Sequence, residues 1–535
     1  MDQWRRAALR LPLEHASQDE GVIYSISRNL LLGHEDKTFA GAIIASASIP
    51  WGDTKGDEDL GGYHLVWTRD LVQSATALLA SGDVNTPLRA LVYLACTQAP
   101  DGGFAQNFWL DGTPYWNRVQ MDEVAFPVTL AWRLWKAGAL QQFDPYPMVA
   151  AAAGFLVRQG PAAEQERWEE CAGYSPSTLA ITIAALVCAA DLAASRGDQL
   201  LASYLLEYAD FLESHVERWT VTTRGTLLPG VARHYIRLTP VDRDDVAPAE
   251  DPDAGTIVLN NQPPGEPWQF AANTIVDAGF LELVRYGVRA PRDPLIEDSL
   301  RVVDAVLRIE TPCGPCWRRY NHDGYGPRPD GGPYEGWGQG RAWPLLTGER
   351  AHYELACGRD VSDLVRALER FASKGGMLPE QVWDDAGAST PGACPGRPTG
   401  SAMPLMWAHA EYVKLLRSIH DDRVFDLIEP VAARYRGGKG RRDLEVWKPN
   451  RQVRTVSPGQ VLRVQAPTAF HLEWSLDGGT TRTRTASTTT TIGVGFADIV
   501  VPPNQQAPVR FLMRADGEAR DYEVGIAPHS VDGSR

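Results

Sequence analysis

The sequence predicts a mainly α chain, an (α/α)6 barrel followed by a small all-β sandwich. Three observations carry that prediction. Ala-rich segments with apolar residues three and four positions apart recur through residues 24–435. The links between them alternate short and long. Near Arg434 the texture changes to short runs rich in Thr, Val and aromatics, punctuated by turn signals.

Taken in order, residues 1–20 read as a connecting segment whose Trp4-Arg5-Arg6-Ala7-Ala8-Leu9 stretch is helical. A weak helical segment follows near 39–47. The spacing then predicts helices over 69–80, 88–96, 123–135, 146–157, 177–194 and 199–218, and again over 270–286, 294–309, 341–357, 361–371 and 402–418. Leu179, Ile183, Leu186 and Ala190 show the period, falling on one stripe that must face a core. About a dozen helices with no repeat motif of fixed length favour a closed double ring over an open solenoid. That ring takes residues 21–435. Its long loops, 49–67, 101–122, 224–268, 313–340 and 379–401, are rich in Gly, Pro and Trp, and on such a scaffold function belongs on loops.

Residues 436–445, opening with Arg436-Gly437-Gly438-Lys439-Gly440-Arg441-Arg442, read as a linker. Short strands follow over 453–456, 460–465, 470–475, 480–491, 495–501, 509–514 and 521–526. Turn signals such as Ser457-Pro458-Gly459 and Asp477-Gly478-Gly479 separate them, making residues 446–530 a β-sandwich domain. Phe470 and Trp474 either fill its core or meet a sugar face.

Composition narrows the function. A chain of 535 residues is too long for one ordinary domain, and 44% hydrophobic with 22% charged residues is a globular balance. A formal net charge of −15 opposes phosphate backbones and anionic lipid surfaces, so neither nucleic acid nor membrane is expected as a partner. No run of eighteen or more apolar residues appears, so no membrane-spanning helix is expected. The N-terminus lacks the apolar stretch of a signal peptide, which fits a cytoplasmic protein if the chain is complete and a secreted one if it is not. Seven Cys scattered from Cys96 to Cys394 do not form a disulfide framework, and Cys313-Gly314-Pro315-Cys316 has no βαβ pattern around it to support redox chemistry. The acidic runs Asp57-Glu58-Asp59 and 242–253 lack EF-hand spacing and read as solvated loops, so no metal and no cofactor is expected. A monomer is expected.

Three loop segments hold the candidate chemistry. In Arg167-Trp168-Glu169-Glu170-Cys171-Ala172-Gly173-Tyr174-Ser175, two adjacent carboxyls sit beside an indole. A like charge next door and an apolar wall both disfavour ionisation, so whichever of the two Glu is shielded suits a proton donor. The plainer alternative is a helix start with Glu in its first turn. In Gly375-Gly376-Met377-Leu378-Pro379-Glu380-Gln381-Val382-Trp383, Pro379 fixes the backbone ahead of a second loop carboxylate. In Gly62-Tyr63-His64-Leu65-Val66-Trp67-Thr68-Arg69-Asp70, the Arg-Asp pair is either a helix cap or a set of donors and acceptors for one sugar ring, with Tyr63 and Trp67 as a stacking wall. One protonated carboxyl and one carboxylate, spaced to hold a water between them, are what inverting glycoside hydrolysis requires.

Together these segments resemble glycoside hydrolase family 15, the glucoamylases and the related glucodextranases. The similarity runs through 24–418, over 35–39, 48–52, 63–70, 115–123, 168–174, 319–326, 340–350 and Pro379-Glu380-Gln381, all in order. The resemblance implies Glu169 as catalytic acid and Glu380 as catalytic base. It implies that Arg69 and Asp70 bind the terminal glucose, that Tyr63 and Trp67 line the pocket, and that Arg319, rather than Arg318 or Arg328, is the second sugar-binding arginine. Trp116, Gln120, Trp168, Glu170 and Trp343 resemble wall and neighbouring-subsite positions, although Trp343 reads equally as core within the helix opening at 341.

The implied activity is that of an inverting, exo-acting α-glucosidase releasing β-D-glucose from the non-reducing ends of α-1,4-glucan oligo- or polysaccharides. Inversion sets the two carboxyl groups about 6.5–9.5 Å apart. Within the family, α-1,6 hydrolysis (glucodextranase) and trehalose hydrolysis are the alternatives, to be decided by loops 104–116 and 387–397. From another class, a catalytically inactive carbohydrate-binding protein could use the same scaffold. Two departures stand out. Bacterial members of the family usually carry a large β-sandwich domain ahead of the barrel, and this chain opens on what reads as only the connecting segment. Either that domain was lost or the chain is truncated, and a contiguous exposed apolar patch is the mark expected of truncation, towards which the 4–9 stretch leans. Pro327 stands where the family pattern leads one to expect a Glu.

Overall fold

The computed structural model describes residues 13–51, 63–241, 245–385, 393–437, 441–515 and 517–528. The helix expected over 4–9, the acidic run 57–59, the start of the acidic stretch at 242, much of loop 387–397 and the Gly-rich part of the linker lie outside the described residues. The fold is mainly helical with some sheet.

The helices are α1 (Val22–Gly33), α2 (Thr68–Ala80), α3 (Asn85–Thr97), α4 (Met121–Lys136), α5 (Tyr146–Gln159), α6 (Pro176–Ser195), α7 (Gln199–Thr220), α8 (Leu281–Arg285), α9 (Pro294–Leu307), α10 (Pro344–Ala356), α11 (Ser362–Phe371), α12 (Met406–His420) and α13 (Glu429–Arg436). The even-numbered ones from α2 to α12 close a ring. Each packs on the next, and α12 packs back on α2. Outside them, α1 lies on α12 and α2, α3 on α2 and α4, α5 on α4 and α6, α7 on α6, and α11 on α10. Links from an inner to an outer helix are short, as at 81–84 and 196–198. Links leading into an inner helix are long: 34–67, 98–120, 160–175, 221–280, 308–343 and 372–405. Inner helices therefore run the same way, and the long loops gather at one end of the ring.

Burial explains the sequence of α6. It is long and apolar enough to cross a membrane, although interspersed Ser, Thr and Asp hide this in a search for an unbroken apolar run. Its apolar surface is taken up inside the protein, because neighbours surround it on every side.

Two expected elements differ, and one helix was not expected. The segment near 39–47 is a loop, tied by Asp36 Oδ1 accepting from the Thr38 and Phe39 amides at 2.8 and 2.6 Å, and by Gly41 at φ +93°. The helix lies just before it, as α1. Its inward polar residues break the apolar stripe: Ser27 bonds His409 Nδ1 at 2.8 Å and Arg28 donates to Ser81. The helix expected over 270–286 shrinks to α8. Asn321 Oδ1 takes the Val276 amide and Asp277 Oδ1 takes that of Gly279, side-chain bonds that compete with helical ones.

The strands after residue 440 are β1 (Leu444–Trp447), β2 (Thr455–Val456), β3 (Val461–Ala466), β4 (His471–Ser475), β5 (Thr483–Ala486), β6 (Thr488–Thr489), β7 (Gly495–Val500), β8 (Val509–Ala515) and β9 (Glu518–Ile526). They form two sheets, ordered β1-β3-β7-β6 and β2-β9-β8-β4-β5. Both contribute to one core that includes Trp447, Leu462, Ile499, Leu472, Phe511 and Val524. Phe470 is buried there and Trp474 packs against it, so their place is in packing. Strand β1 begins inside the span read as linker, and it pairs parallel with β3.

Candidate functional site

The long loops enclose a pocket of about 520 Å³. It is lined by Tyr63, Trp67, Arg69, Asp70, Trp116, Trp168, Glu169, Glu170, Arg319, Trp343 and Glu380, residues that the sequence singled out from distant segments. Most precede or open an inner helix. Trp67 to Asp70 lead into α2, Gln120 precedes α4, 168–170 precede α6 and Trp343 is the residue before α10. Trp343 is thus not inside a helix. It pairs with Trp317 in a short antiparallel bridge and presents a pocket wall.

Arg69 organises one side. Its guanidinium donates to Glu169 Oε1 at 2.6 Å, to Gln120 Oε1 at 2.9 Å and to Asp122 Oδ2 at 3.1 Å, and lies over the Trp407 ring at 5.1 Å. Gln120 does not line the pocket; it stands behind and orients Arg69. Asp70 sits in the first turn of α2, but that helix has no side-chain cap, so capping does not account for Asp70. Burial pushes its carboxyl up to about 6.

Glu169 occupies a turn that its own side chain does not favour. Its φ is +69°, a left-handed conformation costing a non-glycine residue on the order of 1–3 kcal/mol. The turn is held by its amide donating to Glu166 O at 2.8 Å and by Gln165 Nε2 donating to its carbonyl at 2.6 Å. Burial outweighs the adjacent Arg69 and pushes the Glu169 carboxyl up to about 7. The side chain still keeps 26% of its surface open, so the burial is one-sided. Glu170 goes the other way. Arg237, Arg319, Tyr320 and Asn261 all donate to it, at 2.8, 3.2, 2.5 and 3.1 Å, and although burial is the largest influence, these donors together hold its carboxyl below the usual range. Of the two neighbours, Glu169 is the one whose surroundings favour the protonated form.

Glu380 lines the same pocket from the loop before α12, 1% exposed. Its amide donates to Ala402 O at 2.8 Å, and the nearby Leu378 amide donates to His409 Nε2 at 2.9 Å. The Tyr63 hydroxyl donates to Glu380 Oε1 and is itself 2.5 Å from the Tyr325 hydroxyl. Tyr63 has one proton to give, so Tyr325 donates to Tyr63. Burial pushes Glu380 up to about 8, against the pull of Tyr63, Arg319 and Gln381. Arg319 makes a two-pronged contact with Asp323, both bonds at 2.7 Å, with Trp168, Tyr325 and Trp343 about it at 5.2, 4.9 and 5.3 Å.

Several working residues escaped the sequence reading. Asp323 and Tyr325 lay inside the 319–326 segment without being singled out. Trp407 sits on the apolar pattern of α12 and reads as core. Arg237, which holds Glu166 and Glu170 together, lies in a loop with no motif. Among the described residues, no group of three or more His, Cys, Asp or Glu is placed to hold a metal ion.

Comparison with known proteins gives consistent matches. The family described as Glycosyl hydrolases family 15 matches residues 18–95 and 102–417. A glucoamylase of Clostridium sp. (strain G0005) is 43% identical over 436 residues, which is 81% of this chain and 58% of that protein. The crystal structure of a bacterial glucoamylase complexed with acarbose aligns with a TM-score of 0.72 at 42% identity, covering 81% of this chain and 60% of that one. A glucoamylase of Hypocrea jecorina aligns at 15% identity and a TM-score of 0.52, covering 94% and 96%, a likeness of fold alone. The chain thus spans less than two thirds of the length of its two bacterial relatives.

Proposed function

Because the chain belongs to the glycosyl hydrolases of family 15, we propose that it is an inverting, exo-acting α-glucosidase that releases β-D-glucose from the non-reducing ends of α-1,4-glucans. The observation that carries this reading is the pairing of Glu169 and Glu380 in one pocket whose walls hold Arg69, Asp70 and Arg319. In this mechanism the two arginines and Asp70 hold the terminal glucose. Glu169, protonated, gives its proton to the glycosidic oxygen. Glu380 takes a proton from a water on the opposite face, and a single displacement inverts the anomeric carbon. Trp67, Trp116, Trp168 and Trp343 offer apolar faces to sugar rings, and Gln120 acts through Arg69.

The base must be ionised, and the raised Glu380 works against that. Tyr63, Arg319 and Gln381 already draw it down. A water and sugar hydroxyls donating to the same carboxylate extend the effect. The acarbose complex of the bacterial relative supports an α-glucan oligosaccharide as the substrate class.

On the same reading, the double ring is the (α/α)6 barrel of residues 21–435, and the two sheets, opening with β1 at Leu444, are a C-terminal β-sandwich accessory domain joined by a linker that ends before residue 444. The expected state is a monomer that needs no cofactor. The test is glucose release from maltose, starch, isomaltose, dextran and trehalose, with the anomer followed by proton NMR. Preferential hydrolysis of maltose and starch with β-glucose as first product is expected. Release of α-glucose would overturn inversion, and preference for dextran or trehalose would move the linkage to α-1,6 or to trehalose.

A further inference from the structure

We propose that His409, which lies on α12 outside the pocket lining, is a positioning residue that sets where Glu380 stands. The inference rests on the glycosidase reading above and adds what holds the base at its working distance.

The base sits on a short stretch, Leu378-Pro379-Glu380, that is fastened on either side of its proline. Pro379 has no amide to offer and its φ is fixed, so the backbone donor just ahead of the base is that of Leu378. That amide donates to His409 Nε2 at 2.9 Å. The Leu378 carbonyl accepts from the Leu405 amide at 2.9 Å, the residue before α12, and the Glu380 amide donates to Ala402 O at 2.8 Å. The loop is thus tied to α12 through an imidazole and to the chain that leads into α12.

The bond fixes the state of the ring. A backbone N–H only donates, so Nε2 accepts and the ring proton lies on Nδ1. Ser27 Oγ, on α1, stands 2.8 Å from Nδ1 and accepts that proton. His409 is 0% exposed, and burial together with the nearby His34 pushes its imidazole down to about 3, so the ring stays neutral and Nε2 stays an acceptor. A residue needed only to fill space would not require partners at both nitrogens. Two positions earlier on the same helix, Trp407 lines the pocket and lies 5.1 Å from the Arg69 guanidinium. One helix therefore serves as reference for both the base loop and the sugar-binding arginine.

The consequence for chemistry is one of distance. Glu380 has to stand within reach of the Tyr63 hydroxyl on one side and of the attacking water on the other. Without the Leu378 anchor the loop can shift, and a displacement of about 1 Å costs on the order of 10²-fold in rate.

The test measures kcat and KM for maltose and for α-D-glucosyl fluoride in the wild type, His409→Asn, His409→Gln and, as a control, Glu169→Gln. Asparagine keeps a polar group near the place of Nδ1 but stops short of Leu378, whereas glutamine brings Oε1 to the place of Nε2. Fluoride leaves with little help from a proton yet still needs a deprotonated water, so it separates the base from the acid. His409→Asn is expected to lower kcat about 10- to 100-fold on both substrates, with KM changed by less than about 3-fold, and His409→Gln to recover most of that loss. Glu169→Gln is expected to lose far more on maltose than on the fluoride. A lower Tm with wild-type kcat per folded molecule in His409→Asn would make the residue a packing element and overturn the proposal. So would a loss confined to maltose, which belongs to the acid, or a glutamine variant no better than the asparagine one. Should His409→Asn not fold, Ser27→Ala takes its place: without the acceptor for the ring proton, kcat should fall at least about 2-fold on both substrates, and an unchanged kcat would overturn the proposal. A wild type that hydrolyses neither substrate overturns the underlying reading, and this one with it.

Discussion

Glu169 and Glu170 are chain neighbours with opposite electrostatics, and the difference lies in what each meets. Four donors converge on Glu170. Glu169 has Arg69 and a long contact from Gln106, on a strained turn that faces it into the pocket. On the proposed mechanism Glu169 acts protonated and Glu380 ionised, and burial pushes them up to about 7 and about 8. So kcat/KM should peak between those values and fall at higher pH where Glu169 has lost its proton, well above the roughly 4.3 of an ordinary glutamate. Glu169→Gln should remove that alkaline limb and lower kcat by roughly 10²–10⁴. Near wild-type turnover in this variant would remove Glu169 from the mechanism. The acidic limb belongs to Glu380, which must lose its proton before it can act. Tyr63→Phe deletes a donor that favours the charged carboxylate, so in a Glu169→Gln background, where Glu380 alone titrates, the acidic limb should move to higher pH, and kcat should drop. An unmoved limb would leave Tyr63 as a wall and nothing more.

At the scale of elements, the site is a meeting of loops that the helices only hold in place. The segment 319–326 and the hairpin formed by Thr256–Val258 and Gln269–Ala271 touch at Gly324. A Cβ there would stand 1.9 Å from the Asn261 carbonyl oxygen, which is backbone and cannot step aside cheaply. Asn261 in turn donates to Glu170 and to the Tyr320 hydroxyl. Gly324→Ala should therefore push two loops apart beside Arg319 without touching a helix. We expect kcat/KM to fall on the order of 10²-fold through misplaced contacts, with far-UV circular dichroism unchanged. Loss of helical signal instead would mean that the loop contact holds the ring and not only the site.

At the scale of the whole molecule, the C-terminal sheets are fastened to the ring by buried polar contacts. Lys448 Nζ donates to the carbonyls of Val157 and Arg158 at the end of α5, at 2.8 and 3.2 Å, meeting acceptors that the helix end leaves unpaired, while burial and the nearby Arg451 lower its pKa. Arg451, fully buried, pairs with Glu445 on its own side at 2.7 Å and with Glu250 of the ring at 2.6 Å. Glu250 also accepts from Tyr174 at 2.9 Å, five residues past Glu169. Arg451→Met should take the nearest cation from two buried carboxylates, leaving Glu250 with Tyr174 and Glu445 with His215, and cost up to about 3–5 kcal/mol, read as a lower Tm and urea midpoint. A variant as stable as the wild type would mean that the sheets ride on the ring without bracing it.

Local periodicity was enough to determine the class of the chain. Stripes such as Leu179, Ile183 and Leu186 need only neighbouring residues to specify a helix with one buried face, and the strand texture after residue 440 is equally local. The candidate segments stood out too, because unusual residue types cluster in them, as in Trp168-Glu169-Glu170, Pro379-Glu380-Gln381 and Trp67 to Asp70, but the roles expected of them came from the resemblance to the family. Tertiary structure decided what depends on partners far along the chain. Which of Glu169 and Glu170 keeps a proton depends on Arg237, Arg319 and Tyr320, none of them near in sequence. Helix α1 was hidden because its polar residues face inward to His409 and Ser81, and the helix expected over 270–286 shrank because Asn321 and Asp277 took its backbone amides. Trp407 looked like core until the ring placed it under Arg69. Spacing along a chain reports which face a residue shares with its neighbours; charge, burial and hydrogen bonding are set by residues that only folding brings within a few ångströms.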